Sequence, residues 1–240
     1  MHIERKTGLR FFLFYSSTIV FLLVAGVKPA VSQTETGEIR GRVVISSADD
    51  ISDELLRDRK LVRYGKHLHA MVDSVAPYSI SEKTAIYIES APGHSREEEV
   101  PLRHAELNQE QMLFHPLVLP VVVGTVVDFP NNDNLFHNVF SYSSPKEFDL
   151  GRYPQGQRKS VRFDKPGIEK VYCDIHSYMY ATILVLDNPF FASPDNDGNY
   201  TISGVPAGSY KISLWYGRKK AGTKNVVVEA GKISQVNFEY

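Results

Sequence analysis

The chain contains very little cysteine: Cys173 is the only one in 240 residues. A single cysteine cannot form a disulfide within the chain, so a disulfide-stabilised scaffold is excluded. In an exported protein, a lone thiol is an intermolecular bridge, a liability or a metal ligand. Coordination to a metal would protect it in an oxidising compartment, so the interpretation of Cys173 depends on where the protein resides.

The N-terminus has the three-part layout of a secretory signal peptide. Arg5, Lys6 and Arg10 give a positive start, residues 11–27 are predominantly apolar, and residues 30–32 (AVS) form a small-x-small cleavage site. The alternative is an uncleaved membrane anchor, because the apolar run approaches the length needed to span a bilayer. We expect a signal peptide over residues 1–32, no stable membrane insertion after cleavage, and a secreted protein of the periplasm.

The chain also lacks a long block of one charge. It carries 27 Lys and Arg against 28 Asp and Glu. Removal of residues 1–32 takes away four basic residues and one acidic residue, which leaves 23 against 27 and a formal charge of −4. Nothing in this balance indicates nucleic acid as a partner.

Short segments rich in β-branched and aromatic residues predict an all-β chain. Strands are expected at residues 39–45, 84–89, 117–123, 126–129, 135–142, 159–163, 168–172, 180–186, 200–202, 210–216, 225–228 and 233–240. We expect residues 159–163 and 168–172 to form a hairpin around the turn sequence DKPG, and Pro120 to place its strand at a sheet edge or bulge. Residues 47–83 are the hardest to assign, with a short helix expected within residues 50–64. Strands at this spacing indicate a β-sandwich or barrel.

Cys173 opens a run of seven residues, CDIHSYM, that brings a thiol, an imidazole and a thioether together at Cys173, His176 and Met179. Thiolate, imidazole and a weak thioether are the ligands of a mononuclear electron-transfer copper site, provided that a second imidazole is supplied. His137 is the candidate, because it lies on a different predicted strand, as a sandwich requires. The sequence therefore predicts one metal site built from an early strand and a late loop.

Around these residues the chain resembles the cupredoxins, the plastocyanin-like blue-copper proteins, and more narrowly the bacterial plastocyanin-like proteins of the methylamine-utilisation type. The resemblance covers residues 112–192 and lies in the segments FPNND (129–133), FHNVFS (136–141), FDLG (148–151), FDKPG (163–167), VYCDIH (171–176) and LDNPF (186–190). It implies a Greek-key β-sandwich that binds one mononuclear copper through His137, Cys173 and His176, with Met179 as axial ligand. It also implies that Asn138 ties its loop to the cysteine loop and places a backbone N–H near the thiolate.

The resemblance has one departure at the axial position. Plastocyanins place the methionine five residues after the loop histidine, whereas Met179 is three residues after His176. The position of Met179 relative to the metal, and with it the colour and reduction potential of the site, therefore stays open.

The flanks resemble carboxypeptidase regulatory-like, transthyretin-type β-sandwich modules. The similar segments are DNDGNYTI (195–202) and VPAGSY (205–210), together with strands at residues 37–44 and 85–88. The domains expected are therefore a cupredoxin domain at residues 108–189, inserted into a second small β-sandwich made of residues 36–95 plus 190–240. Such modules are non-catalytic scaffolds.

The leading hypothesis is an exported electron carrier whose copper cycles between Cu(I) and Cu(II), with an unidentified redox protein as partner. Tyr178, Tyr180 and Phe136 would frame an apolar docking patch around His176. The alternatives are a periplasmic copper-binding or delivery protein without a redox partner, and a structural β-sandwich module without metal. An enzyme is not expected, because no Ser-His-Asp or paired-carboxylate pattern stands out and the other histidines are scattered.

Two weaker patterns are interpreted as structural. The pair His67 and His69 lies in a polar stretch and is expected at the surface. The sequence DNDG at residues 195–198 opens like a calcium loop, but its twelfth position is Pro206 and not glutamate, so a turn is expected there.

Overall fold

The structure, a computed structural model, describes residues 35–46, 78–91 and 103–240. The predicted signal peptide, the helix expected within residues 50–64 and the pair His67 and His69 lie outside the described residues. The described part contains one short helix, α1 (Ile80–Lys83), which begins with a capping box between Ser79 and Glu82. Its strands are β1 (Thr36–Val44), β2 (Thr84–Ile88), β3 (His104–Glu106), β4 (Asn108–Glu110), β5 (Leu113–His115), β6 (Val118–Val122), β7 (Val126–Pro130), β8 (His137–Ser141), β9 (Phe148–Tyr153), β10 (Arg158–Arg162), β11 (Gly167–Tyr172), β12 (Tyr180–Leu186), β13 (Phe191–Ala192), β14 (Asn199–Pro206), β15 (Gly208–Tyr216), β16 (Lys219–Val228), β17 (Ile233–Gln235) and β18 (Phe238–Glu239).

Two sheets built from β3 and β6–β12 form what we call the first sandwich. A five-stranded sheet in the order β6-β12-β11-β8-β9 and a three-stranded sheet in the order β10-β7-β3 share one core. That core combines Val127 and Phe129 of β7 with Val139 of β8 and Ile183 of β12. Alternating strand residues thus bury the inner faces of both sheets, and apolar burial stabilises the pair.

The edge position predicted for Pro120 is confirmed, because β6 is the outermost strand of its sheet. Proline has no N–H to donate, so a sheet edge tolerates it.

The hairpin predicted between residues 159–163 and 168–172 is wrong. β10 pairs with β7, whereas β11 pairs with β12 and β8 in the other sheet. Backbone hydrogen bonds explain the difference: the Gly124 N–H donates to the Phe163 carbonyl (2.7 Å), and the Phe163 N–H donates to the Thr125 carbonyl (3.0 Å). These bonds hold the end of β10 beside β7, so the DKPG turn carries the chain from one sheet to the other.

The remaining two larger sheets form the second sandwich, whose strands lie before and after the first sandwich in the chain. One sheet has the order β14-β1-β17, with β18 also paired to β1, and the other has the order β13-β2-β15-β16. Their common core includes Ile39, Ile86, Ile212 and Phe238. The all-β fold class predicted from the sequence, with two sandwiches, is confirmed.

The two sandwiches contact each other through a shared apolar cluster. Val118 and Leu184 of the first sandwich pack with Ala85, Tyr87 and Trp215 of the second. The described residues belong to one compact unit, and the division into separate domains stays a prediction. Among the described residues we find no helix with the length and apolar character needed to cross a membrane.

Candidate metal site

The candidate ligands lie where two neighbouring strands reach the same end of the first sandwich. His137 is the first residue of β8, and Cys173 directly follows β11, which pairs with β8. His176 and Met179 lie in the loop that leads into β12. His137 and Met179 are 0% exposed and Cys173 is 3% exposed, while His176 is half-buried. The chain therefore brings distant residues together in a site that is largely shielded from water.

Three donor atoms converge in this site. The Cys173 Sγ lies 3.9 Å from His137 Nδ1 and 3.9 Å from His176 Nδ1, and the two Nδ1 atoms lie 3.0 Å apart. A metal ion held at bond lengths of about 2.0–2.3 Å separates its ligand atoms by about 3–4 Å. The spacing and the chemistry of the three donors therefore fit a metal ion with two nitrogen ligands and one sulfur ligand.

The surroundings of Cys173 favour its thiolate form. Burial raises the pKa of Cys173, but hydrogen bonds from His137, His176 and the backbone N–H groups of Asn138 and His176 lower the pKa to about 6. Burial likewise lowers the pKa of His137, while its contacts with Cys173 and Asp133 raise it above the usual value. The thiolate is the form of cysteine that binds metals.

Asp133 is a residue of the site that the sequence analysis did not single out. Its Oδ2 lies 2.8 Å from His137 Nε2, and its two oxygens accept hydrogen bonds from the backbone N–H groups of Gln111 (2.6 Å) and Met112 (2.8 Å). Donation from Nε2 to the carboxylate leaves the Nδ1 lone pair directed at Cys173 and His176. The signal in the sequence was a carboxylate four residues before a candidate histidine ligand.

Asn138 is buried, and its side chain ties β8 to β9. Its Nδ2 donates to Asp149 Oδ1 (2.7 Å), which also accepts the Gly151 N–H (2.8 Å). Its backbone N–H donates to the Cys173 sulfur. The link to the cysteine loop therefore comes from the backbone of Asn138, and the side chain stabilises the strand that carries His137.

Met179 shares the buried core cluster of Cys173. Its backbone N–H donates to the His176 carbonyl (2.9 Å), which closes a tight turn between the two residues. A second methionine is also near the loop, since the Tyr178 hydroxyl donates to Met112 Sδ (3.3 Å) and the rings of Tyr178 and His176 lie 6.1 Å apart. Coordination by Met179 stays a prediction.

The expected docking patch needs a correction. Phe136 is 57% exposed, but Tyr180 is only 5% exposed and packs with Leu117 and Tyr216 instead. Tyr180 therefore cannot contribute to an apolar surface. Ile175, which is 37% exposed beside His176, is an apolar residue of the loop that does reach the surface.

Two other histidines and the turn at residues 195–198 have structural partners. His104 Nδ1 lies 3.1 Å from Asp128, and His115 Nδ1 lies 2.8 Å from Glu82. The Asp195 carboxylate accepts backbone N–H groups within its own turn. Within residues 35–46, 78–91 and 103–240, His137, Cys173 and His176 are the one group of three His, Cys, Asp or Glu side chains close enough to hold a metal.

Comparison with known proteins gives likenesses among solved structures. No family model matches the chain, and no curated protein matches its sequence. The copper-containing nitrite reductase of Thermus scotoductus SA-01 is 29% identical over 42% of this chain and 25% of that chain, with a TM-score of 0.34. A purple cupredoxin from Nitrosopumilus maritimus is 25% identical over 35% of this chain and 98% of that chain, with a TM-score of 0.31. The Cu(I) form of an amicyanin variant is 21% identical over 43% of this chain and 98% of that chain, with a TM-score of 0.33.

The chain thus spans a quarter of the nitrite reductase and nearly all of the other two proteins. Each of these likenesses is limited to less than half of this chain.

Proposed function

We propose that this protein is an exported, mononuclear copper protein that transfers electrons. The observation that supports this function is the convergence of one buried thiolate sulfur and two imidazole nitrogens at 3.0–3.9 Å. In this proposal His137, Cys173 and His176 hold the ion and Met179 is the axial ligand. When bound, the copper would accept and release one electron by alternating between Cu(II) and Cu(I).

In this function the protein holds the ligands in position and shields them from water. His137 is held by Asp133, and the Cys173 sulfur is held by backbone N–H groups of Asn138 and His176. Ligands that are already in place need little rearrangement when the charge of the ion changes. The half-buried His176 is the ligand nearest to solvent and offers the route by which an electron leaves or enters.

Burial favours an electron carrier over a copper-delivery protein. Delivery requires a partner to exchange ligands with the site, whereas His137 and Met179 are 0% exposed and Cys173 is 3% exposed. A carrier keeps its ion and exchanges only electrons. Slow copper release to a chelator is therefore expected, and fast release of Cu(I) would instead support delivery.

The test is a copper titration of the purified protein followed by visible and EPR spectroscopy. We expect one equivalent to bind and to give a thiolate-to-Cu(II) charge-transfer band that a reductant bleaches and an oxidant restores. Cys173→Ser should abolish the band, and His104→Gln, a substitution of an exposed histidine outside the site, should leave it unchanged. Failure of the wild-type chain to take up copper would overturn the proposal.

The axial ligand is tested with two matched methionine variants. Met179→Leu keeps the volume and removes the sulfur, so we expect a changed visible spectrum and a shifted reduction potential. Met112→Leu makes the same change at a methionine near the loop and should leave the spectrum unaltered. An unchanged spectrum in Met179→Leu would remove Met179 from the ligand set.

Export and a redox partner are further parts of the proposal. Mass spectrometry of protein recovered from the periplasm of an expressing bacterium should find Gln33 as the first residue. An N-terminus that retains the apolar residues 11–27 would instead indicate an uncleaved anchor. The partner is expected to dock at the exposed Phe136 and Ile175, which directly precede His137 and His176 in the chain. Phe136→Ser should then slow electron exchange with a redox protein without altering the copper spectrum.

A further inference from the structure

The loop that carries the candidate ligands is closed at its base by two tyrosines. Tyr172 and Tyr180 are opposite one another in the pairing of β11 with β12, and their ring centroids lie 5.5 Å apart. Cys173 directly follows Tyr172, and Met179 directly precedes Tyr180. Cross-strand aromatic pairs stabilise the strands that carry them. Whatever fixes Tyr180 therefore also fixes the end of the loop that bears Met179.

Tyr180 is held from outside the first sandwich. The guanidinium of Arg218, in the turn between β15 and β16 of the second sandwich, lies 4.5 Å from the centroid of the Tyr180 ring. The Tyr180 hydroxyl shares a hydrogen bond with Thr182, whose Oγ1 donates to the Gly217 carbonyl (3.4 Å). A cation at this distance over an aromatic face is attracted by the ring, more strongly when the pair is shielded from water.

The turn that presents Arg218 is itself fixed by the second sandwich. The Gly217 N–H donates to the Lys83 carbonyl (2.8 Å), and the Gly217 carbonyl accepts from Trp215 Nε1 (2.7 Å). Gly217 has φ = 55°, a left-handed conformation that glycine adopts without strain. Within the described parts of the chain, no carboxylate forms an ion pair with Arg218. The contact that the structure describes for this guanidinium is therefore the one with the Tyr180 ring.

We propose that Arg218 is a positioning residue for the candidate copper site. Through Tyr180 it holds the β12 end of the Cys173–Met179 loop, so the second sandwich sets the geometry of a site built in the first. This inference rests on the proposed function, because only a copper-binding protein has a copper geometry to set. The contact of Arg218 with Tyr180, in contrast, does not require a bound metal. The positioning role of Arg218 would give the second sandwich a function at the metal site of the first.

The test compares Arg218→Gln with two other variants of the full chain. Lys224→Gln is the control, because it removes a different cation–π contact, within the second sandwich. Lys224 of β16 places its Nζ 5.6 Å from the centroid of the Phe238 ring. Arg218→Lys keeps a cation and should restore wild-type behaviour in part. The first measurement is the rate at which a thiol reagent alkylates Cys173 in metal-free protein, because this buried sulfur reacts only when the loop opens.

We expect Arg218→Gln to raise the alkylation rate about 2- to 5-fold, the range given by a modest cation–π contact, and Lys224→Gln to leave it unchanged. The excess rate should depend little on urea, because opening a loop exposes far less surface than unfolding the chain. A rate equal to that of the wild type, or an excess that follows urea as steeply as global unfolding does, would overturn the proposal.

The second measurement is the visible and EPR spectrum of copper-loaded protein. Arg218→Gln should shift the charge-transfer band and the reduction potential, while Lys224→Gln should shift neither. A merely structural role for Arg218 would lower stability and leave both spectroscopic properties in place. If the wild type failed to bind copper, the proposed function would fall, while the alkylation rates would still decide whether Arg218 restrains the loop.

Discussion

At the scale of single residues, the site depends on a carboxylate as much as on the three ligands. Asp133 accepts from His137 Nε2 and from two backbone N–H groups of the turn between β4 and β5. Partners of this kind fix the orientation of a ligating histidine and increase its basicity. Asp133 therefore links the His137 imidazole to this turn. The turn in turn contacts the ligand loop, because the Tyr178 hydroxyl donates to Met112 Sδ.

We predict that Asp133→Asn weakens copper binding about 10-fold or more, the usual cost of removing such a partner. The amide oxygen can still accept from His137, but the negative charge is lost. Competition with a chelator of known affinity measures the effect. Asp174→Asn is the matched control, since Asp174 lies in the same loop as Cys173 but is exposed and pairs with Arg152 at the surface. Equal affinities in both variants would contradict the role of Asp133.

The ligands were predictable from the sequence and Asp133 was not, for a physical reason. Thiol, imidazole and thioether are soft ligands, so their concentration in seven residues after Cys173 is itself a chemical signal. An aspartate after two asparagines has the composition of an ordinary turn. Only the fold shows that this turn brings the carboxylate within 2.8 Å of His137.

At the scale of elements, a buried glutamate on β11 holds the loop that joins β8 to β9. Glu169 is 0% exposed, and its Oε2 accepts from Ser141 Oγ (3.1 Å). Burial raises the pKa of Glu169 to about 7, although hydrogen bonds from Ser141, Ser143 and the backbone of Lys146, and the positive charge of Lys146, act in the opposite direction. The strand that leads into Cys173 thus carries a carboxyl group that binds its proton more tightly than an ordinary glutamate does.

We predict that Glu169→Gln stabilises the protein at pH 8 by about 1–3 kcal/mol and has little effect at pH 4. The folded chain binds the proton of Glu169 more tightly than the unfolded chain does, so binding of this proton contributes fully to the stability of the folded chain below pH 4.5. This contribution is lost as the pH rises from 4.5 to about 7. Urea unfolding at both pH values measures it, with the exposed Glu239→Gln as control. A variant no more stable than the wild type at pH 8 would contradict the prediction.

The same elements show what local patterns cannot predict. Eight strands (β2, β6, β7, β8, β10, β11, β12 and β15) were expected within two residues of their ends, because apolar alternation marks a half-buried strand. The strands expected at residues 39–45, 200–202, 225–228 and 233–240 have ends that differ by more. β9 and the short strands β3, β4, β5 and β13 were missed, and the partner of β10 was mistaken. Strand pairing is set by hydrogen bonds between distant segments, such as Phe163 with Thr125, and a turn sequence does not reveal them.

At the scale of the whole molecule, the two sandwiches share buried surface. Leu184 on β12 is 2% exposed and packs in one cluster with Trp215 on β15, which is 4% exposed. Leu117, Tyr180 and Tyr216 form a second cluster across the same contact. The resemblances in the sequence indicated two sandwich types but gave no information on this contact, because it depends on side chains from segments that no local pattern connects.

This shared surface predicts that the two sandwiches unfold together. Trp215, the only tryptophan, reports on the second sandwich by fluorescence. Cys173 belongs to the core of the first sandwich, and its labelling in a pulse of thiol reagent too brief for reaction through loop opening reports on unfolding of that core. We expect both probes to give one urea midpoint in metal-free protein, since coincident transitions indicate a single cooperative unit. Leu184→Ala should lower both midpoints together, by the equivalent of about 2–5 kcal/mol, whereas Ile168→Ala, at a 43% exposed position, should lower neither appreciably. Two separate midpoints in the wild type would mean that the second sandwich folds independently, and a role for it in restraining the ligand loop would then hold only while both sandwiches are folded.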